Sequence, residues 1–516
     1  MTSKGYYVGK KGKVYIIGAG PGDPGLLTLR AAECLQRADV VVYDYLVGGE
    51  ILAFARDDAQ LIYVGKKGGD HTVSQERLNQ ILVEEAQKGN CVARLKGGDP
   101  FIFGRGGEEA EILTDKNIPF EVIPGVTSAI AAPAYAGIPL THRGFTSSVA
   151  FVTGHEDPTK EESRLDWQGL VSVGTLVFLM GVKNLPHIVD QLIRSGRAPA
   201  TPAALVRWGT TPDQETISGT LEDIVREAEG RDFSPPAVFV VGDVVRLKEK
   251  LSWFEGKPLF GKGIVITRPE KQSAEFASLL YEAGARVIYF PTIEIVAPDD
   301  FTDLDRSVEH IESYDWIVFT SANGVKFFFQ RFAAAGRDIR DLKGIKLCTI
   351  GPATASALDS YGLSVDIVPD DYISEGVVEA FAREDIRDKR VLLPRAEVAR
   401  DVIPEGLTDL GAEVDVVVAY RTVSSGRNVG ELFELIAQRK VDVVTFTSPS
   451  TVINFMDIIG EGTTLPSHIR IACIGPVTKR AAEAAGFTVD IMHEPYIIAG
   501  LVGAIEKAFS NEEGMK

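Results

Sequence analysis

The sequence predicts an α/β protein in two halves, the second half being a pair of similar lobes, and three observations predict it. Short β-branched runs alternate with amphipathic segments along the chain, the pattern of βα units feeding parallel sheets. A charged stretch ending in Pro and Gly, RLKEKLSWFEGKPLFG (246–261), separates two such series. The second series also repeats itself. FTSANGV (319–325) returns as FTSPSTV (446–452), and IGPATASALDSYG (350–362) returns as IGPVTKRAAEAAG (474–486). Val365, Asp366, Ile367, Tyr372, Ile373 and Gly376 reappear 124 residues later as Val489, Asp490, Ile491, Tyr496, Ile497 and Gly500. Duplicated α/β lobes account for this, and a cleft between paired lobes is a natural ligand site.

In the first half, KVYIIG (13–18) reads as a strand, 26–38 as a helix and DVVVYD (39–44) as the next strand. Ser74 is a fitting N-cap for a helix whose apolar residues are Leu78, Ile81, Leu82 and Ala86. CVARLKGGDP (91–100) then runs as strand into loop. Four loops follow strands: GAGPGDPG (18–25), GGDPFIFGRGGEE (97–109), VIPGVTS (122–128) and LMGVKN (179–184). Set along one sheet edge, they are expected to form a pocket in which glycine lets the backbone approach a ligand. The first loop departs from the dinucleotide fingerprint, because Asp23 stands where a third glycine belongs, and no GxxxxGK[ST] occurs. Asp99 is read as an acceptor for ribose hydroxyls or an amino group, and Glu108 and Glu109 as favouring the next helix N-terminus.

The 516 residues allow about three or four domains as a prior. Hydrophobic residues at 45% and charged residues at 24% exclude a disordered or fibrous chain. With 54 Lys and Arg against 72 Asp and Glu, the net charge of −18 argues against nucleic acid or an anionic membrane as main partner. Cys34, Cys91, Cys348 and Cys473 form no CxxC pair, so neither a disulfide framework nor a zinc ribbon is expected, and a reducing cytoplasm fits. The basic N-terminus lacks an apolar signal core. The uncharged run 122–140 carries Pro124, Pro133 and Pro139, which argues against a spanning helix.

Taken in order, GAGPGDPGLLT, YDYLV, VGK, GGDPFIFGRGGEE, VIPGVTS, GIPLTHR, TGH and PPAVFVVGDVV resemble the tetrapyrrole methylase family, specifically uroporphyrinogen-III C-methyltransferases, over Gly12–Leu251. The resemblance implies two α/β subdomains that bind S-adenosylmethionine between them, with methylation of uroporphyrinogen III at C2 and C7 to precorrin-2 and no metal. Taken alone, Asp44 reads as a strand-end turn residue and Lys66 as a solvated lysine. The resemblance makes Asp44 a proton acceptor and Lys66 a proton donor. It assigns Pro21, Gly97, Gly98, Asp99, Ile102, Thr127, Ser128, Met180 and Gly209 to the cofactor, with Ser128 where many relatives carry Ala. A substrate bearing eight carboxylates needs cations, for which Lys66, Lys67, Arg105, His142 and Arg143 are available.

In the second half, VITRP (265–269), DWIVFTSANGV, IGPATA, VLLPRAE (391–397), VVAYRT (417–422), FTSPSTV and IGPVT resemble the uroporphyrinogen-III synthase family over Gly261–Phe509. That resemblance implies cyclisation of hydroxymethylbilane with inversion of ring D. It points to Ser321, Thr354, Tyr420, Ser448 and Thr478 for substrate, with Tyr420 an acid for the departing hydroxyl or else a structural hinge. Arg268, Lys326, Arg395 and Arg421 are further carboxylate partners. Lobe exchange is expected near 291–298 and 417–423. The expected division is a methylase at 12–250, a linker at 251–261 and a synthase at 262–510, with one lobe at about 295–418 and the other formed by the rest. A cytoplasmic bifunctional enzyme follows, dimeric through the methylase half as that family commonly is. The alternative is a methylase of a corrin intermediate fused to a non-catalytic ligand-sensing module.

Overall fold

The computed structural model describes residues 12–65, 73–154, 165–269, 272–425, 429–460 and 462–513. They divide into two compact units, the first running to Lys262 and taking in Leu280–Arg286, the second holding Gly263–Leu279 and the chain from Val287 onward.

The first unit contains two five-stranded sheets. β1 (Lys13–Gly18), β2 (Val40–Tyr43), β3 (Gln60–Tyr63), β4 (Cys91–Lys96) and β5 (Phe120–Ile123) pair in parallel in the order β3-β2-β4-β1-β5. Strand order reverses around β1 and β4, the point where open α/β sheets bind ligands beyond their carboxyl ends. β6 (Val149–Thr153), β7 (Thr175–Leu179), β8 (Pro202–Arg207), β9 (Glu215–Thr220) and β10 (Ala237–Val241) form the second sheet, in which only β6 and β7 are parallel. The single helix expected over 26–38 is a 3-10 turn, Pro24–Leu26, followed by the helix Leu29–Leu35. Thr28 restarts the helix by accepting from Ala31 N. Ser74 caps Gln75–Gln87 as expected, accepting from Arg77 N.

The helix Ser128–Tyr135 begins where the β5 loop ends, and it packs Ala129 and Ala132 against Val177, Val206, Val238 and Val240 of the second sheet. This small-residue face lets helix and sheet approach closely. The segment 251–261 is anchored rather than extended: Phe254 and Leu259 are buried, and Tyr135 meets Trp253 and Phe254 edge-on at 4.9 and 4.8 Å.

In the second unit, β11 (Gly263–Ile266), β12 (Arg286–Tyr289), β18 (Val443–Phe446) and β19 (Arg470–Cys473) form one sheet. β13 (Ile293–Val296), β14 (Trp316–Phe319), β15 (Lys346–Thr349), β16 (Arg390–Ala396) and β17 (Glu413–Ser424) form the other, in the order β13-β17-β16-β14-β15. The repeat is structural. Asp366 Oδ2 accepts from Leu347 N at 2.7 Å, and its counterpart Asp490 accepts from Ile471 N at 2.8 Å. The chain changes sheets first at 290–292. The second change comes after Ser424, because β17 runs unbroken through the 417–423 stretch where a crossing was expected. The two passes lie side by side, Ser425 N donating to Thr292 O at 3.1 Å.

Candidate active sites

The cleft of the first unit starts from a junction of three glycines. Gly18 ends β1, Gly98 follows β4 and Gly125 follows β5. Gly20 and Gly98 exchange backbone hydrogen bonds of 3.2 and 2.6 Å. A Cβ on Gly18 would sit 2.5 Å from Gly125 N, and one on Gly125 would collide with Gly98 O. Only bare backbone lets these three loops meet, which is the physical content of their glycines. Asp99 locks the junction: Oδ1 accepts from Phe101 N at 2.8 Å and Oδ2 from Gly125 N at 3.0 Å. Its oxygens are thus directed at its own loops.

The fourth loop departs from the expectation of one sheet edge. LMGVKN follows β7, a strand of the second sheet, and faces the other three loops across the cleft. The GAGPGDPG loop is tied to that side: Asp23 N donates to Thr210 Oγ1 at 3.1 Å, and Tyr135 Oη donates to Asp23 Oδ2 at 2.6 Å. Burial and then this carboxylate hold the Tyr135 phenol well above its usual range. Asp23, where a dinucleotide fold has glycine, is therefore a latch between subdomains.

The cleft has a volume of about 440 Å³, within the roughly 300–1,000 Å³ of small-molecule sites. Pro21, Gly97, Gly98, Ser128, Met180 and Gly209 line it, with Leu46, Ala132, Lys183, Val206, Trp208 and Val238 among the rest. Thr127 is instead buried as the cap of Ser128–Tyr135, accepting from Ala129 N, and Asp99 and Ile102 lie outside the lining. Met180, Trp208 and Thr210 adopt left-handed φ values of 57°, 46° and 75°, a concentration of backbone strain where the walls meet.

Asp44 stands beside this cleft. Its Oδ1 accepts from Leu46 N at 3.1 Å, and its Oδ2 accepts from Arg94 at 3.1 Å. Lys66 and Lys67 lie outside the described residues. Arg105 pairs with Glu108 at 2.6 Å, while His142 and Arg143 are exposed in a turn where Gly144 N donates to His142 Nδ1. Glu108 and Glu109 both stand in the first turn of the helix Gly106–Asp115, as expected, and of the two it is Glu109 that turns inward. It is 1% exposed and takes Lys96 Nζ at 2.6 Å.

In the second unit the repeat sets matching groups at carboxyl ends of neighbouring parallel strands. Ser321 caps Ala322–Ala334 after β14, and Ser448 caps Pro449–Ile459 after β18. Thr354 and Thr478 are buried in the first turns of the helices that follow β15 and β19. Tyr420, on β17, lies 2.9 Å from Ser321 Oγ. Ser321, Thr354 and Tyr420 thus share one sheet, and Ser448 and Thr478 belong to the other. Arg421 grips Asp299 with two contacts of 2.7 Å, Arg395 holds Asp401 at 2.7 Å, burial pushes Arg268 down, and Lys326 is exposed.

A family model described as tetrapyrrole (corrin/porphyrin) methylases matches residues 13–225, and one described as uroporphyrinogen-III synthase HemD matches residues 274–503. A porphyrin biosynthesis protein HemD of Ruminiclostridium josui is 41% identical over 474 residues, 92% of this chain and 93% of that protein. The chain belongs to the family of fused tetrapyrrole methylases and uroporphyrinogen-III synthases. An S-adenosyl-L-methionine-dependent uroporphyrinogen III methyltransferase of Methanosarcina barkeri (strain Fusaro / DSM 804) is 55% identical over 47% of the chain and 96% of that protein. The crystal structure of a Thermus thermophilus uroporphyrin-III C-methyl transferase complexed with S-adenyl homocysteine is 42% identical. It covers 46% of this chain and 99% of that one, with a TM-score of 0.40.

In this methylase and synthase fusion, sequence reasoning missed Arg94, Lys96 and Glu109 beneath Asp44, and Trp208 and Lys183 in the cleft wall. A usable signal existed for the first two, since a central strand that alternates Val92, Arg94 and Lys96 on one face must bury both cations.

Proposed function

We propose that the second unit cyclises hydroxymethylbilane to uroporphyrinogen III with inversion of ring D. The first unit then methylates that product at C2 and C7 to precorrin-2. The observation that carries the reading is the glycine junction opening into the cleft lined by Pro21, Gly97, Gly98, Ser128, Met180 and Gly209. Bare backbone and apolar walls suit an adenosyl group with an amino-acid tail. S-adenosylmethionine supplies an electrophilic methyl group on a sulfonium and leaves as S-adenosylhomocysteine. The chain's part is to hold the electron-rich pyrrole carbon in line and to take a proton from elsewhere in the macrocycle, because the methylated carbon is fully substituted and the ring is left cationic once the C–CH3 bond has formed and the S–CH3 bond has broken. Asp44 is the acceptor and Lys66 the donor. Arg105, His142 and Arg143 meet substrate carboxylates.

In the second unit, Tyr420 protonates the departing hydroxyl. Ser321, Thr354, Ser448 and Thr478 hold side-chain carboxylates so that the linear tetrapyrrole folds for attack through the substituted carbon of ring D. Methylase work is assigned to 12–250 and synthase work to 262–510. The cysteines of the described chain are free thiols, which supports a cytoplasmic location. Pairing of two methylase halves follows from the family and is read out by sedimentation.

The test is anaerobic incubation with hydroxymethylbilane, with and without S-adenosylmethionine, followed by isomer analysis and mass spectrometry. Type III isomer alone without the methyl donor, and a product heavier by two methyl groups with it, are expected. Only type I isomer overturns the synthase reading, and an unmethylated type III product overturns the methylase reading.

A further inference from the structure

Arg94 and Lys96 continue the stripe begun by Val92 on one face of β4, and they are only 3% and 5% exposed. Two buried cations are costly unless each is paired. Glu109, on the helix Gly106–Asp115, supplies the counter-charge. Its Oε1 accepts from Lys96 Nζ at 2.6 Å, Gln75 Nε2 at 3.2 Å and Arg94 Nε at 3.4 Å. Glu109 Oε2 is buried with no hydrogen bond among the described residues. Burial outweighs this carboxylate at Lys96 and pushes its amine below the usual range. Arg94 directs its other nitrogens at Leu95 O, 2.8 Å away, and at Asp44 Oδ2, 3.1 Å away. A single planar guanidinium therefore bridges an interior carboxylate to the one beside the cleft.

As a stability device this arrangement is poor. Ion pairs this deep are often replaced by apolar residues at no loss, and an orphaned carboxylate oxygen is a net cost. We propose that Arg94, locked in place by Glu109, is a positioning residue that fixes the Asp44 carboxylate during methyl transfer. The inference rests on the reading of Asp44 as the proton acceptor. Arg94 holds Oδ2 while Leu46 N holds Oδ1, so the carboxylate has one rotamer and presents its remaining lone pairs in one direction. A lysine at this position keeps the charge and loses the fork that spans both carboxylates.

The experiment uses the full chain and the variants Asp44→Asn, Arg94→Lys, Glu109→Gln and the double variant D44N/R94K. Methylation of uroporphyrinogen III is followed anaerobically at saturating S-adenosylmethionine, and S-adenosylhomocysteine affinity is measured by calorimetry. R94K is expected to lose at least tenfold in kcat, with KM and S-adenosylhomocysteine affinity within twofold of the parent. E109Q moves the same way by roughly 3- to 10-fold. If Arg94 acts only through Asp44, the double variant is no slower than D44N alone, whereas a merely structural role would multiply the two losses. A wild-type kcat for R94K, multiplied losses, or loss of S-adenosylhomocysteine binding in R94K each overturn the proposal. D44N turning over at the parent rate overturns the reading of Asp44 itself, a result distinct from a slow D44N beside a fast R94K.

Discussion

The Ser321 hydroxyl lies 2.9 Å from the Tyr420 phenol oxygen, joining residues 99 apart in the chain. In the repeated lobe the equivalent Ser448 hydroxyl meets no phenol among the described residues, and its side-chain partner is Ser450 Oγ, also at 2.9 Å. The two lobes thus carry like helix caps, and one of the two caps meets a phenol. Tyr420 is 8% exposed and stacks on Phe327 at 6.0 Å, so a phenylalanine fills the same space. Tyr420→Phe should cut hydroxymethylbilane turnover roughly 10²- to 10⁴-fold and raise the type I fraction, as loss of a general acid requires. Stability should fall by about 1 kcal/mol, one hydrogen bond. Unchanged type III output by chromatography would remove Tyr420 from the mechanism.

Ser321→Ala and Ser448→Ala separate capping from chemistry. Each serine accepts a backbone N–H of its helix, from Gly324 and Thr451 respectively, so each alanine should cost about 1 kcal/mol of stability in denaturant titrations. The activity losses should differ. Ser321→Ala also releases the Tyr420 hydroxyl, and we expect its turnover to be at least threefold below that of Ser448→Ala. Equal turnover would make the contact with Tyr420 incidental.

The glycine junction predicts an unequal pair of substitutions. Gly98 is left-handed, with φ +69°, yet a Cβ there has its nearest neighbour at 3.7 Å, so Gly98→Ala pays only backbone strain of about 1–2 kcal/mol. At Gly125 a Cβ runs into Gly98 O and Gly18, and over-packing of about 1–3 kcal/mol must be relieved by parting the loops. Calorimetry with S-adenosylhomocysteine should show binding weakened at least 100-fold by Gly125→Ala and less than tenfold by Gly98→Ala. The reverse order would mean that the junction does not shape the cleft.

Much of this was legible beforehand where local pattern decides. KVYIIG became β1 residue for residue, and Ser74 capped its helix, because strand alternation and capping are properties of adjacent residues. The repeat was legible for the same reason, and the structure shows what preserved VDI: Asp366 and Asp490 each tie down a neighbouring strand. Long-range pairings were not legible. Asp23 reads as loop punctuation until Tyr135, 112 residues away, donates to it. Glu109 reads as a helix-start acid until β4 sets two cations under it. Asp99 looked free for a ligand because the Gly125 amide that it accepts lies 26 residues on.

Cys348 and Cys473 are expected to make the second unit less stable at alkaline pH. Both are fully buried, in β15 and β19, and burial first, then Asp366 and Glu483 respectively, pushes both thiols up to about 12. In the unfolded chain they titrate near their ordinary value of 9.0. A folded value above the unfolded one means that their contribution to stability is complete below about pH 9 and is lost as pH rises toward 12, where the unfolded chain releases protons that the folded chain keeps. The melting temperature of the second unit should hold steady to about pH 9 and fall above it, and the fall should be shallower in C348A/C473A. The same burial keeps the thiolate, the reactive form, out of reach. At pH 8 these two cysteines should resist alkylation in the native chain and react within minutes in denaturant, as peptide mass spectrometry will report. Rapid native alkylation at pH 8 would show that the strands open, and that the alkaline fall has another source.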